Sequence, residues 1–148
     1  LYMKLQGPLR PEIIVRLLSL DPGLSTGWAI IDIDGTTLVL LTSGTVDYAY
    51  LGSFIPVMQA WEPDEVIMEF VLTLTNSKLN RLLTQAERQL VDAFPNAHIV
   101  RPGHWKPVTG KSPIPNVGTK HTRDAMRMAL YWARSNVSPH VVFALDSR

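Results

Sequence analysis

The sequence predicts an α/β fold in which a mixed five-stranded sheet, three antiparallel strands followed by parallel ones, is flanked by helices in the order βββαβαβα. Two observations predict it. The first third of the chain holds three β-branched, leucine-rich runs divided by turn residues, Asp21-Pro22-Gly23 and Asp34-Gly35. Beyond them, short apolar runs alternate with segments whose apolar residues recur every three or four positions, the pattern of strands separated by helices. Hairpins that lead into such α/β units are satisfied most simply by one mixed sheet with helices against it.

Taken in order, residues 13–20 are almost continuously apolar, as in a strand buried on both faces. Asp21-Pro22-Gly23 stops that strand with strong turn chemistry. Residues 28–33 form the second strand, Asp34-Gly35 a tight hairpin, and residues 37–46 the third strand. Leu51, Phe54, Ile55, Met58 and Trp61 fall at helical spacing and predict a helix over residues 50–61. Pro63-Asp64 ends it, and residues 65–71 give the fourth strand. Asn76 or Ser77 then caps a long amphipathic helix carrying Leu79, Leu82, Leu83, Ala86, Leu90, Ala93 and Phe94. Residues 97–100 form a brief fifth strand. Residues 101–120, with four prolines and three glycines among them, read as a loop without a helix. A last helix spans about 122–133, with Ala125, Met126, Ala129 and Leu130 facing inward. Residues 1–12 and 136–148 read as peripheral tails on a single domain over 1–148.

Composition narrows the function classes. A hydrophobic fraction of 46% over 148 residues supplies one real core. The absence of cysteine excludes a disulfide framework, a thiolate metal site and a cysteine nucleophile. It also fits a reducing compartment. No apolar run approaches the roughly 20 residues a bilayer span needs, so no membrane partner is expected. The expected location is cytoplasmic, in a bacterial or phage-infected cell.

The informative residues are acids. Asp21 ends the first strand and Glu69 lies near the end of the fourth. If those strands are parallel neighbours, both acids project at one sheet edge, where open α/β sheets build their sites. Asp124 falls in the predicted first turn of the last helix, and His121 precedes it by three residues, on the same helix face. Each has a plain structural explanation: a turn Asp, a solvated strand-end Glu, an Asp favoured by a helix dipole, a loop His. Their joint placement argues for a site. Three converging acids repel one another unless cations neutralise them, and hard oxygen ligands favour Mg²⁺, with Mn²⁺ able to substitute. Two such ions at Asp21, Glu69, His121 and Asp124 would orient a water and a leaving oxygen at a phosphodiester. His121 would ligate a metal or handle a proton.

The net charge of +1 hides an uneven distribution. Between residues 101 and 134 the bases are Arg101, Lys106, Lys111, Lys120, Arg123, Arg127 and Arg134, against Asp124 as the one acid. A basic stretch beside the acids suits a phosphate backbone. Lys106 is the preferred phosphate contact, with Arg101, Lys111, Lys120 and Arg123 beside it and Arg81 and Arg88 on the long helix. Trp105 is a candidate either for stacking on a base or for filling the core edge.

These residues resemble a family. Leu20-Asp21-Pro22-Gly23-Leu24-Ser25-Thr26-Gly27-Trp28 is similar to the opening motif of RuvC-type Holliday junction resolvases. Ser43-Gly44-Thr45-Val46 and Pro63-Asp64-Glu65-Val66-Ile67-Met68-Glu69 resemble that family's third strand and its strand-borne glutamate. Asn76-Ser77 and Gln85-Ala86 resemble its central helix. Arg101-Pro102, Trp105-Lys106 and Gly110 resemble its lysine-bearing loop, and His121-Thr122-Arg123-Asp124-Ala125 its last acidic motif. The resemblance runs from about residue 13 to 133 and is to a compact, phage-type member. It implies an RNase H-like fold, Mg²⁺-dependent hydrolysis of DNA phosphodiesters, four-way junctions as substrate and a homodimer. The chain departs from the family in a first loop one residue shorter, in Glu87-Arg88 where small residues are usual, and in His121 where an aspartate is common. Alternatives are a broader nuclease of forks, flaps or RNA–DNA hybrids, an actin-like nucleotide-binding domain, and a non-catalytic DNA-binding module.

Overall fold

Alternation along the central strand decides the layering. The computed structural model describes residues 14–70 and 78–145. In them β1 (Val15–Asp21), β2 (Ser25–Asp34) and β3 (Thr37–Asp47) form the antiparallel meander. Helix α1 (Tyr48–Ala60), β4 (Glu65–Glu69), α2 (Lys78–Ala93) and β5 (His98–Val100) follow. Then come α3 (Pro102–Thr109), α4 (Lys120–Asn136) and a short β6 (Val142–Phe143). The spatial order is β5-β4-β1-β2-β3-β6, with β4 parallel to β1 and β5 parallel to β4.

Successive strand residues point to opposite faces. Leu18, Leu20, Ile30 and Met68 therefore meet Leu51 and Met58 of α1 and Ala86 and Leu90 of α2. Leu17, Ala29, Ile31 and Ile67 meet Trp105 of α3 and Ala125, Met126, Ala129 and Leu130 of α4. Each fully buried large aliphatic side chain in these two layers contributes about 1.5–3 kcal/mol. The hairpin turn holds Gly35 at φ 62°, as the Asp-Gly pair anticipates. Arg16 sets the β1–β4 register: its backbone N–H donates to Asp64 at 2.8 Å, while its guanidinium pairs with Asp32 at 2.8 and 3.1 Å.

Three expectations are corrected. The sheet has six strands rather than five, because the C-terminal segment is not a peripheral tail over its described part. β6 pairs in parallel with β3, and Val141 and Phe143 enter the core beneath α4. The segment after β5 is not all loop: Pro102 takes the first helical position, where its missing N–H costs nothing, and buried Trp105 and Thr109, four residues apart, hold α3 against α4 despite Pro107. The last helix starts at Lys120, capped by Thr119, whose hydroxyl accepts from the Thr122 N–H at 3.4 Å. Asp124 thus lies past the first turn, and the helix-dipole explanation of it lapses. The proposed caps Asn76 and Ser77, and the strand positions Ile13 and Val71, lie outside the described residues.

Candidate active site

Both strand-borne acids share one face for the reason that layers the core. Asp21 has the parity of Leu17 and Ser19, and Glu69 that of Ile67, so each points to the α3/α4 side. Leu20 lies beside Met68 in the parallel register, which brings the next residues, Asp21 and Glu69, together at the strand ends. They are 5% and 6% exposed, which makes ionising both of them costly.

Helix α4 brings the remaining members. Ser19 Oγ donates to the Ala125 carbonyl at 2.6 Å inside the core, and Thr122 Oγ1 donates to the Gly44 carbonyl at 3.0 Å. These bonds fix the rotation and height of the helix over the sheet. His121 Nδ1 then sits 2.9 Å from Asp21 Oδ2. The approach is possible because Gly27, the β2 partner of Asp21, has no side chain: a Cβ there would lie 2.7 Å from His121 Cβ and overlap the His121 backbone. Gly27 is a site residue that sequence reasoning missed, although a glycine inside a strand does signal close backbone approach.

Burial pushes Asp21 above the ordinary carboxylate range, against the pull of the hydrogen bond to His121. Burial also pushes Glu69 up to about 7, opposed by a hydrogen bond from Trp105 and reinforced by repulsion from Asp21. Each carboxyl bears on the other, and both are raised chiefly by burial. Asp124 sits in the same field: its charge adds to the upward pressure on Asp21. Its carboxylate accepts from Lys120 Nζ at 3.0 Å, and that bond raises the Lys120 pKa, with Asp21 and Glu69 adding to the effect.

Among the described residues no three His, Asp or Glu side chains converge within ligating reach of one point. The donor chemistry still fits a hard divalent cation. Mg²⁺ commonly keeps several waters and takes only one or two carboxylates, the rest coming from substrate phosphates. A pair of buried carboxyls meeting at the ends of two parallel strands is such a donor set.

The basic candidates divide. Lys106 and Lys111 line an exposed groove of about 460 Å³ with Pro107, Val108 and Ser112, and the Lys106 charge is felt at Glu69. Arg101 is exposed at the cap of α3, and Arg81 and Arg88 are exposed on α2. Arg123 donates to the Gly118 carbonyl at 2.7 Å, and Lys120 is engaged with Asp124. Arg127 and Arg134 are drawn into structural bonds to Ser112 and Val141 carbonyls. Trp105 is not available for stacking on a base: it is 1% exposed, and its Nε1–H donates to Glu69 Oε2 at 2.6 Å. The core-edge alternative holds.

The fold is RNase H-like. It superposes on *Thermus thermophilus* RuvC solved in complex with a Holliday junction substrate with a TM-score of 0.66, at 17% identity, covering 82% of this chain and 97% of that one. In sequence the chain is RuvC-like as well. It is 28% identical to the crossover junction endodeoxyribonuclease RuvC of *Variovorax paradoxus*, over 57% of this chain and 54% of that protein. Against RuvC of *Polynucleobacter necessarius* the identity is 30%, over 54% of this chain and 53% of the other. The chain thus spans about half the length of the curated relatives it matches. No family model matches it. Among the described residues no helix is long and apolar enough to cross a membrane.

Proposed function

We propose that the chain is a metal-dependent, structure-selective DNA endonuclease that resolves four-way junctions. The observation that carries this reading is the buried Asp21–Glu69 pair at the ends of two parallel strands, with His121 2.9 Å from Asp21. Sequence and fold likeness to RuvC point the same way.

Asp21 and Glu69 would hold Mg²⁺ or Mn²⁺, with Asp124 and His121 completing the set for one or two ions. A divalent cation there supplies charge neutralisation and polarisation of the scissile phosphodiester. Asp21 accepts from His121 Nδ1–H and so fixes the tautomer of the ring, leaving Nε2 to take a proton or a ligand position. Lys106 and Lys111, lining one exposed groove, neutralise phosphates flanking the cut. Two copies of the chain, each with one such site, would cut opposing strands of one junction in the cytoplasm of a bacterial or phage-infected cell.

The test compares Mg²⁺-dependent cleavage of mobile four-way, three-way, linear and RNA–DNA hybrid substrates and maps the cuts. Paired symmetric cuts on the four-way junction, at the highest rate of the series, are expected. Equal rates on all four substrates would replace this reading with a broader nuclease, and no cutting of any would refute it.

A further inference from the structure

The buried tryptophan of α3 has no part in the chemistry above, yet it contacts that chemistry directly. Trp105 Nε1–H donates to Glu69 Oε2 at 2.6 Å, and the ring is 1% exposed, so water cannot replace the carboxylate as acceptor. A short bond from a neutral donor to a carboxylate is charge-assisted and directional. The indole is itself held in place. Thr109 Oγ1 donates to the Arg127 carbonyl at 2.8 Å, and Arg127 Nε returns to the Ser112 carbonyl at 3.3 Å, which fastens α3 and the following turn to α4. On the outer side Lys106 Nζ lies 5.6 Å from the Trp105 ring centroid, within cation–π range. One indole therefore touches both the strand-borne acid and the lysine of the basic groove.

We propose that Trp105 is a positioning residue for Glu69: its indole N–H fixes Oε2 and leaves Oε1 as the oxygen offered to a divalent cation. A strand-end glutamate without such a donor has several side-chain orientations to lose when it binds a metal. A fixed one has few, which is how outer-shell donors raise the affinity of the ligands they hold. The inference rests on the metal-site reading of Asp21 and Glu69.

The test replaces Trp105 with 3-benzothienylalanine, which keeps the ring volume and puts sulfur where the N–H was, and separately makes Trp105→Phe. Mn²⁺ affinity is measured by titration, with thermal unfolding as the check on the core. Both variants are expected to unfold cooperatively and to bind Mn²⁺ about tenfold or more weakly, the usual effect of losing an outer-shell partner. A benzothienyl variant with wild-type Mn²⁺ affinity would overturn the proposal, since it would leave Trp105 a packing residue only. Failure of the metal-site reading has a different signature, in which wild type itself takes up no Mn²⁺. The positioning claim is then decided by the indole Nε1–H proton resonance, assigned by its absence in Trp105→Phe. It lies downfield in wild type and moves upfield in Glu69→Leu if the bond holds the carboxylate, and does not move if it does not.

Discussion

At the scale of single residues the site is a problem of buried charge. Glu69 is held at about 7 when folded, above the ordinary glutamate range, by burial first and by Asp21 second. A carboxyl raised in this way favours the folded state while it is protonated, and that advantage is lost as pH rises from the unfolded value toward about 7. Asp21 is shifted in the same direction. The chelated protein is therefore expected to melt several degrees lower at pH 8 than at pH 5, since about 1 kcal/mol moves Tm by roughly 2–4 °C near this size. Glu69→Gln removes the penalty and is expected to raise Tm at pH 8 in the same chelating buffer. A Tm unchanged between pH 5 and pH 8 would count against the buried pair. Lys120 shows the complementary effect. Its ammonium lies 3.0 Å from Asp124 and feels Asp21 and Glu69 as well, so it stands where a cation is wanted. Lys120→Met is expected to tighten Mn²⁺ binding roughly two- to fivefold, the worth of an exposed ion pair. Weaker binding in a calorimetric titration would show that Lys120 assists the site rather than competing for Asp124.

At the scale of elements, the position of α4 over the first hairpin decides whether the site exists. Two glycines of that hairpin make a controlled comparison. Gly27→Ala drives a methyl group into the His121 backbone, whereas Gly35→Ala adds one into open space at positive φ. The first is expected to cost about 1–3 kcal/mol and to depress cleavage even at saturating metal, because His121 leaves Asp21. The second is expected to cost about 1 kcal/mol with cleavage unchanged. Denaturant unfolding and initial cleavage rates check both, and equal cleavage by the two variants would contradict the role given to Gly27. The same elements show what a sequence can carry. The strands and the turns at Asp21-Pro22-Gly23 and Asp34-Gly35 were readable because their period and turn chemistry are strong and local. The meeting of Asp21 with Glu69 followed from strand order alone. α3 was hidden because its prolines and glycines outweigh any periodic signal, while burial of Trp105 and Thr109 against α4 holds it helical. Trp105 was ambiguous for a related reason: an indole followed by an exposed lysine reads equally well as surface or core until its neighbours in space are known.

At the scale of the whole molecule, two faces of one sheet carry separate duties. The α1/α2 face is a core, while the α3/α4 face is a core that ends at the two strand-borne acids. The sheet reaches further than sequence patterning indicates, since a strand of two residues has no period to detect. Phe143, from that strand, is 5% exposed. Phe143→Ala is expected to lose about 3–5 kcal/mol in denaturant unfolding, whereas a peripheral tail would lose almost nothing. Charge acts at this scale too: replacing both Lys106 and Lys111 with Ala is expected to weaken binding of all branched substrates alike and to flatten the salt dependence by about two phosphate contacts. The proposed role of Asp21 and Glu69 as the catalytic carboxylates of a metal-dependent DNA nuclease is decided by cleavage of a mobile four-way junction in Mg²⁺ by wild type, Asp21→Asn and Glu69→Gln, each shown to be folded and to bind the junction. Wild type is expected to cut, chelation to abolish that cutting, and neither variant to cut; undiminished cutting by both folded variants would show that these acids are not the catalytic ones.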